Sequence, residues 1–498
     1  MPYTMHDQER VSHGWTRSEV EARLRQCLPR DRLITSDAEL EVFDRDALTM
    51  YRQTPFIVVL PRTVEEVVSV MATADQMGVP IVPRGAGTGL SGGALPVASA
   101  IVLSLAGLNR IVEIDAENRL ARLQPGVTNR SVSEAAQIHG LFYAPDPSSQ
   151  IACTIGGNVA ENSGGMHCLK YGLTVHNVLA VELVMPGGRR VTLGSDALDG
   201  PGLDLLGTVC GSEGLFGVVV EVTVRLLPLP PSSKTILAAF RDVESAAEAV
   251  ACIMASGLIP AALEFMDRMI VGAAEAFVGA GYPLEAAALL LIELDGLEEA
   301  VEADHERLVS LLSRAGAFEV RLAGSEIEKQ RFWSGRKSAF PAVGRISPDY
   351  YCMDGTIPRA RLAQVLAASE QLGVAHGLKV ANVFHAGDGN LHPLILYDGA
   401  IPGELERAEA LGARILELCV DVGGTITGEH GVGAEKINQM CYQFKAAEIR
   451  QFSDLKSAFD PKGLLNPGKA IPSLHRCAEL GRMHVHQGQL PHPELERF

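Results

Sequence analysis

Asn382 to His392 reads NVFHAGDGNLH, in which two histidines flank a tight Asp-Gly turn. Imidazole is a common metal ligand, so the stretch reads as half of a metal site. If Asp388-Gly389 form a two-residue type I′ turn, position 387 pairs with 390, 386 with 391 and 385 with 392. His385 and His392 then stand opposite each other on one face, with Cβ atoms about 4.5–5.5 Å apart, close enough to share one ion. GEHG at Gly428 to Gly431 is the candidate for a further ligand. Either histidine alone could instead be a satisfied core or surface residue, and Glu429 alone could pair with a lysine.

A second kind of chemistry lies far upstream. Pro83 to Gly93 reads PRGAGTGLSGG, and Gly87, Gly89 and Gly92 fit the spacing G-x-G-x-x-G. A Rossmann fingerprint must open a helix, whereas Ala94-Leu95-Pro96 leads towards another strand, so that reading is rejected. Many backbone N–H groups with no side chains in the way still suit an anion, with a plain tight turn as the alternative. Two further glycine-rich segments follow: Asp146 to Tyr171, DPSSQIACTIGGNVAENSGGMHCLKY, and Gly211 to Val218, GSEGLFGV.

The elements that must position these groups alternate. A capping pair Ser18/Glu21 opens a helix over about 18–28, with Val20, Leu24 and Leu28 at helical spacing. Strands are expected at 56–60, 79–82 and 101–105, with a helix between the first two capped by Thr63 and ended by Gly78. Strands over 178–185 and 189–193 meet across Pro186-Gly187-Gly188, and a strand over 218–227 runs into the proline cluster of Pro228 to Pro231, read as a domain boundary. Beyond it come strand 236–240, helix 243–255, strand 262–266, a helix from 268, strand 287–294 and helix 297–315, which suggest a ferredoxin-like open sheet with helices on one face. Arg336 sits in a helix of aromatic and apolar residues, either as a surface residue or as a two-pronged donor for a carboxylate. Strands 379–385 and 391–397 form the histidine hairpin, a helix spans about 403–421, and 434–469 reads as helical.

The totals restrict the partners. With 498 residues, two to three domains are expected, and a formal charge of −17 argues against nucleic acid. The nine cysteines are scattered, without the clustered spacing of iron–sulfur ligands, and read as reduced thiols in a cytoplasmic chain. Residues 1–15 have no apolar run of the kind a secretory leader carries, and no stretch is long and apolar enough for a spanning helix.

Taken together, the three glycine-rich segments resemble the FAD-linked oxidases of the vanillyl-alcohol oxidase type. HAGDGNLH followed by GEHGVG resembles the D-2-hydroxy-acid dehydrogenase branch of that family, and the resemblance runs over nearly the whole chain. It implies an α+β fold, with a two-subdomain FAD-binding domain, a ferredoxin-like cap and a C-terminal helical segment. The boundaries expected are 1–54, 55–231, 232–425 and 426–498, the last returning to the FAD domain. The implied FAD contacts are Arg84, Gly85, Gly87, Thr88, Gly89, Leu90, Ser91, Pro147, Ser148, Thr154, Gly156, Gly157, Asn158, Asn162, Gly165, Glu213, Gly217, Val218 and Asn466. Turn chemistry is the alternative for the two asparagines Asn158 and Asn162. His167 is expected to be an ordinary hydrogen-bonded histidine rather than a covalent flavin anchor.

By the same resemblance, His385, His392 and Glu429 hold a divalent metal, His430 is the base, and Arg336 holds the substrate carboxylate. Two histidines and a carboxylate leave an open position, as in catalytic zinc sites, and also suit manganese or iron; zinc is the expectation from the resemblance. Relatives acting on 2-hydroxyglutarate carry a lysine in the segment equivalent to Tyr350 to Asp354, where this chain has Cys352. A thiol cannot pair with a second carboxylate at neutral pH, which favours glycolate or D-lactate, giving glyoxylate or pyruvate. The implied partners are an iron–sulfur subunit and a second flavin-type subunit, which feed a membrane quinone; contact with the membrane would run through those partners alone. A flavin-free metallohydrolase using His430 and a metal-bound water, and a silent scaffold subunit, are the rival readings. The tail histidines His475, His484, His486 and His492 are read as a solvated or partner-contacting tail rather than a metal site.

Overall fold

Thr63 stops the chain from continuing as a strand: its hydroxyl accepts from the Glu66 N–H at 3.2 Å and starts the helix Val64–Met77, which Gly78 ends in a left-handed conformation. Val67, Val70, Met71 and Ala74 recur at helical spacing and are buried against a small sheet. That sheet has the order Leu33–Ile34, Ile57–Val59, Ile101–Ser104, Ile81–Arg84, and its last three strands are parallel. The computed structural model describes residues 14–197, 200 and 202–473, so the tail histidines 475, 484, 486 and 492 lie outside the described residues. The first helix is Arg17–Leu24, two turns long and earlier than expected. Thr16 and Glu19, rather than Ser18 and Glu21, exchange the capping hydrogen bonds.

A second, antiparallel sheet follows, in the order Ile111–Asp115, Leu120–Leu123, Val218–Arg225, Val178–Val184, Arg190–Gly194. The glycine-rich loop 85–100 joins two strands of the first sheet without opening a helix. At Leu227–Pro228 the chain pairs with Leu141–Phe142, and at Ser232 it enters a larger sheet.

This third sheet runs Glu319–Leu322, Ser232–Phe240, Ala288–Gly296, Ala262–Asp267, Lys379–His385 and on to the histidine hairpin. Its helices cover both faces, not one as expected. Helices Val243–Ala255, Glu298–Arg314 and Leu362–His376 pack on the side of Ile236, Leu290 and Ile292. Helices Arg268–Val278 and Glu326–Lys337 pack on the side of Leu237, Leu289 and Leu291. The unbroken run ALLLIEL is what a strand buried on two sides requires.

The expected helical tail 434–469 is two helices, Ile437–Gln443 and Ala446–Phe459, because Phe444 adopts an extended conformation between them. After them the backbone turns back to the first sheet: the Ile81 N–H donates to the Leu464 carbonyl, and the Asn466 N–H to the Ile81 carbonyl. Seven described cysteines are free thiols, whereas Cys441 is disulfide-bonded, against the expectation of reduced thiols throughout. Sequence spacing carries no record of which thiols meet in space.

The glycine-rich segment 146–171 is tied to the large sheet by polar side chains. Tyr171 and Lys170 donate to Asp295, and His167 Nδ1 binds Asp146 at 2.7 Å with its Nε2 4.0 Å from Glu293. Burial opposes the imidazolium, but the Asp146 charge and hydrogen bond outweigh it, and the His167 pKa is raised to about 9. The contribution of this pair to stability is therefore complete below the unfolded value of 6.5 and is lost as pH rises through about 9. Thermal unfolding across that window should show a larger alkaline loss of Tm for the natural chain than for His167→Asn.

Candidate active site

The glycine loop, the helix Ile155–Glu161 and the large sheet enclose a cavity of about 480 Å³. Its FAD-side wall includes Arg84, Gly85, Gly87, Thr88, Gly89, Leu90, Pro147, Ser148, Thr154, Gly156, Gly157, Asn158, Glu213 and Gly217. Gly87 has φ +73°, and a methyl group there would strike the Arg84 guanidinium at 2.2 Å, so the loop lies flat against its own side chain only with glycine. Thr154 Oγ1 and Asn158 Nδ2 are shut off from solvent without hydrogen-bond partners. Orphaned polar atoms on the wall of a large cavity fit a large polar ligand such as FAD.

Five residues expected to touch the flavin do not line the cavity. Ser91 is buried and its carbonyl accepts from the Ala434 and Glu435 N–H groups. Asn162, at φ +53°, accepts from the Val175 N–H, and Gly165 packs on Asp146. Val218 is a core strand residue, and Asn466 donates to the Gly93 and Glu213 carbonyls. All five shape the wall from behind. His167 is likewise absent from the lining, its ring held by Asp146.

At the other end stand His392, Glu429 and His430. The hairpin register is shifted by two residues from the expected one: His385 pairs with Asn390, and Asn382 with Pro393. The loop therefore holds four residues, because Gly355–Thr356 pairs with Asn390–Leu391 and the Ile357 N–H donates to the Gly389 carbonyl, which pulls the tip outwards. A shift of two keeps both histidines on one face. Their ring centroids are 5.2 Å apart, and Glu429 Oε1 lies 3.3 Å from His385 Nε2 and 3.2 Å from His392 Nε2.

His385 Nδ1 donates to Glu264 Oε1 at 2.8 Å, and Glu264 stands directly opposite it on the neighbouring strand. With Nδ1 committed to Glu264, Nε2 is the nitrogen left to face Glu429, and His392 Nε2 is a buried atom without a hydrogen-bond partner. Three donor atoms within 4.8 Å of one another, one of them orphaned, fit a divalent cation. Asp354, His392 and His430 are an equally tight trio. Asp354 is nevertheless saturated: it accepts from the Gly428, Glu429 and His430 N–H groups, from Thr427 Oγ1 and from Lys436 Nζ. An ammonium on the same carboxylate disfavours a cation there.

Arg336 does not reach the cavity. Its side chain is 1% exposed, and its Nε donates to Glu264 Oε2 at 2.7 Å with Nη2 2.6 Å from the same oxygen. The expected carboxylate clamp is thus turned onto a buried glutamate, because a charge at full burial needs a counter-charge. The next residue, Lys337, lines the cavity with Phe340, Pro341 and Tyr350. Cys352 is buried behind that wall, its Sγ donating to the Met353 carbonyl at 3.4 Å.

His430 stacks on His392 at 4.8 Å and is held by its backbone. Asp354 accepts three successive N–H groups of the loop, and Glu213 accepts the next available two, from Val432 at 2.7 Å and Gly433 at 2.6 Å. Burial pushes the His430 pKa down to about 4, with the Asp354 charge in partial opposition, so the ring is neutral and can accept a proton. Burial alone would raise the Asp354 carboxyl, but Lys436 and the imidazoles hold it well below the usual carboxylate range. Asp354, Glu264, Lys436 and Lys337 escape a reading of the sequence, since only their partners in space mark them. Asp354, two residues past the end of the aromatic strand Asp349–Cys352, is the one local hint.

The chain matches two families over most of its length. Residues 55–194 match an FAD binding domain, and residues 229–470 match the C-terminal domain of FAD linked oxidases. The chain is 58% identical over 482 residues to the glycolate oxidase subunit GlcD of Escherichia coli (strain K12), covering 97% of each. Identity to GlcD of Bacillus subtilis (strain 168) is 39%, over 91% of this chain and 96% of that one. A D-lactate dehydrogenase of Archaeoglobus fulgidus is 33% identical over 87% of this chain and 98% of its own length. Among solved structures, p-cresol methylhydroxylase with substrate bound shares the fold with a TM-score of 0.78 at 19% identity, covering 92% of this chain and 97% of that one.

Breaking the Asp354–Lys436 pair should be costly. Asp354→Asn is expected to lose about 3–5 kcal/mol in denaturant unfolding, since it strands a buried ammonium. Asp354→Asn with Lys436→Met should cost less than the two single changes added together.

Proposed function

This chain belongs to the FAD-linked oxidases, and we propose that within that family it oxidises glycolate to glyoxylate, and D-lactate to pyruvate as a second substrate. The observation that carries the reading is a neutral, buried imidazole, His430, beside the three converging donors of His385, His392 and Glu429 at the end of a cavity fit for flavin. His385, His392 and Glu429 would hold a divalent ion, zinc by the family resemblance, and the wall from Arg84 to Gly217 would hold the FAD. When bound, the two groups supply what no side chain here can: a Lewis acid at the hydroxyl oxygen and a two-electron acceptor for the hydride from C2.

The residues do the rest. His430, fixed by Asp354 and Glu213 through its loop, removes the hydroxyl proton as the hydride departs. Glu264 keeps His385 in the tautomer that presents Nε2. Lys337 offers its ammonium to the substrate carboxylate in the role expected of Arg336, and Arg336 steadies Glu264 from behind. Phe340, Pro341 and Tyr350 close the far side with apolar surface, which suits a small monocarboxylate and leaves a second carboxylate without a partner.

Glycolate is favoured as substrate by the 58% identity to a protein named as a glycolate oxidase subunit, and D-lactate by relatives named as D-lactate dehydrogenases at 32% and 33%. Electrons would leave through partner subunits, one bearing iron–sulfur clusters and one a second flavin-type domain, towards a membrane quinone. Among the described residues no helix is long and apolar enough to cross a membrane, so membrane contact would be made by those partners.

Anaerobic mixing with a panel of 2-hydroxy acids tests the reading. Glycolate and D-lactate should bleach the flavin and 2-hydroxyglutarate should not; a chain whose flavin responds to neither small acid would sink it. His430→Ala should keep flavin absorbance and bound metal while losing bleaching by a factor on the order of 10² to 10⁴. Glu264→Gln should weaken metal binding by about 10- to 100-fold in a chelator competition.

A further inference from the structure

Three carboxyl groups meet the loop that carries His430, and two of them, Asp354 and Glu213, are occupied by its N–H groups. The third is Glu161, the last residue of helix Ile155–Glu161, whose side chain lines the cavity. Its Oε2 is shut off from solvent and has no hydrogen-bond partner. A methyl group on Gly431 would lie 2.4 Å from that oxygen and 3.0 Å from Glu213 Oε1, so the two carboxyls face each other across one glycine of the catalytic loop. On the opposite side, a methyl group on Gly93 would lie 2.7 Å from Glu161 Oε1.

Two carboxyl groups that meet across one residue, one of them with an oxygen shut off from water and unpartnered, do not both stay ionised. Glu213 has two N–H donors for its charge and Glu161 has none, which assigns the proton to Glu161. Burial is the main cause, the charges of Glu213 and Asp46 act the same way, and Lys436 and Lys469 oppose them; the Glu161 pKa stands well above the ordinary carboxyl range. The position of the group gives the proton a use. Glu161 and His430 line the same cavity and Glu161 abuts Gly431, the next residue along the chain, so a flavin ring bound to take hydride from a substrate at His430 would border Glu161.

We propose that Glu161 presents its O–H to the flavin ring and thereby sets how readily the bound cofactor takes up electrons. A donor aimed where negative charge develops favours the reduced ring, whereas an ionised Glu161 would oppose it. Reduction should therefore raise the Glu161 pKa further. Between its values in the oxidised and reduced states, one extra proton is taken up with two electrons. The reduction equilibrium then falls tenfold per pH unit beyond the flavin's own dependence, about 30 mV for a two-electron couple. This window lies on the alkaline side, because the oxidised-state pKa is already raised.

The inference rests on flavin occupying the cavity and not on which acid is oxidised, and flavin absorbance reports the first independently of the second. The test is the midpoint potential of the holoenzyme against pH, for the natural chain, Glu161→Gln and Glu161→Asp. The natural chain should show the added alkaline slope, Glu161→Asp should keep it at a shifted pH, and Glu161→Gln, a neutral donor that cannot ionise, should lack it. Superimposable profiles for the natural chain and Glu161→Gln would overturn the proposal. If Glu161→Gln does not retain flavin, the infrared spectrum of the flavin-free natural chain decides: a protonated carboxyl band absent from Glu161→Gln is expected, and no difference between the two spectra overturns the assignment.

Discussion

The site depends on five backbone N–H groups that two buried carboxylates hold in place. The loop from Gly428 to Gly433 is neither helix nor strand, so its N–H groups have no ladder to satisfy them, and a buried unsatisfied donor costs as much as a lost hydrogen bond. Asp354 takes Gly428, Glu429 and His430, and Glu213 takes Val432 and Gly433. These carboxylates come from opposite sides of the cavity, one following a strand beside the histidine hairpin and the other from the FAD-side wall. The loop bearing His430 and the third metal-type donor is therefore placed by both sides at once. Lys436 completes the arrangement by neutralising Asp354 and donating to the Gly431 carbonyl at 3.0 Å.

A second buried carboxylate, Glu264, does for the hairpin what Asp354 does for the loop. It lies opposite His385 in the sheet, fixes that ring, and is itself balanced by Arg336. Of the converging donors, His385 ends a strand and His392 sits between two, while Glu429 lies on the irregular loop that Asp354 holds; the opposite wall combines the glycine loop with the helix Ile155–Glu161 and carries orphaned polar atoms. The division has a physical sense. Donors for a small ion must keep their geometry to fractions of an ångström, while the orphaned polar atoms of the opposite wall would gain partners from a long cofactor.

The last described segment serves the same cavity. After helix Ala446–Phe459, Asn466 and Lys469 reach the Gly93 carbonyl, so the last described segment fastens the glycine loop from behind. Phe459 stacks on Phe216 at 4.7 Å near the Glu213 turn, which ties this segment to the FAD-side wall as well. Residues far apart in sequence close one ring of contacts around the glycine loop.

What the sequence by itself determined is the set of local features. Thr63 and Gly78 bounded a helix, the proline cluster marked a crossing between sheets, Ala94-Leu95-Pro96 excluded a Rossmann helix, and the two histidine motifs marked side chains that the fold brings together. These features depend on backbone conformation and side-chain chemistry at neighbouring positions, which a sequence records directly. Tertiary structure alone decided the rest. A third strand at Gly355–Thr356 shifted the hairpin by two residues, Glu264 turned Arg336 away from the cavity, and helices covered the large sheet on both faces. Asp354, Lys436 and Glu161 were silent in the sequence for the same reason: a buried charge takes its role from the partner that neutralises it, and that partner is chosen by packing and not by proximity along the chain.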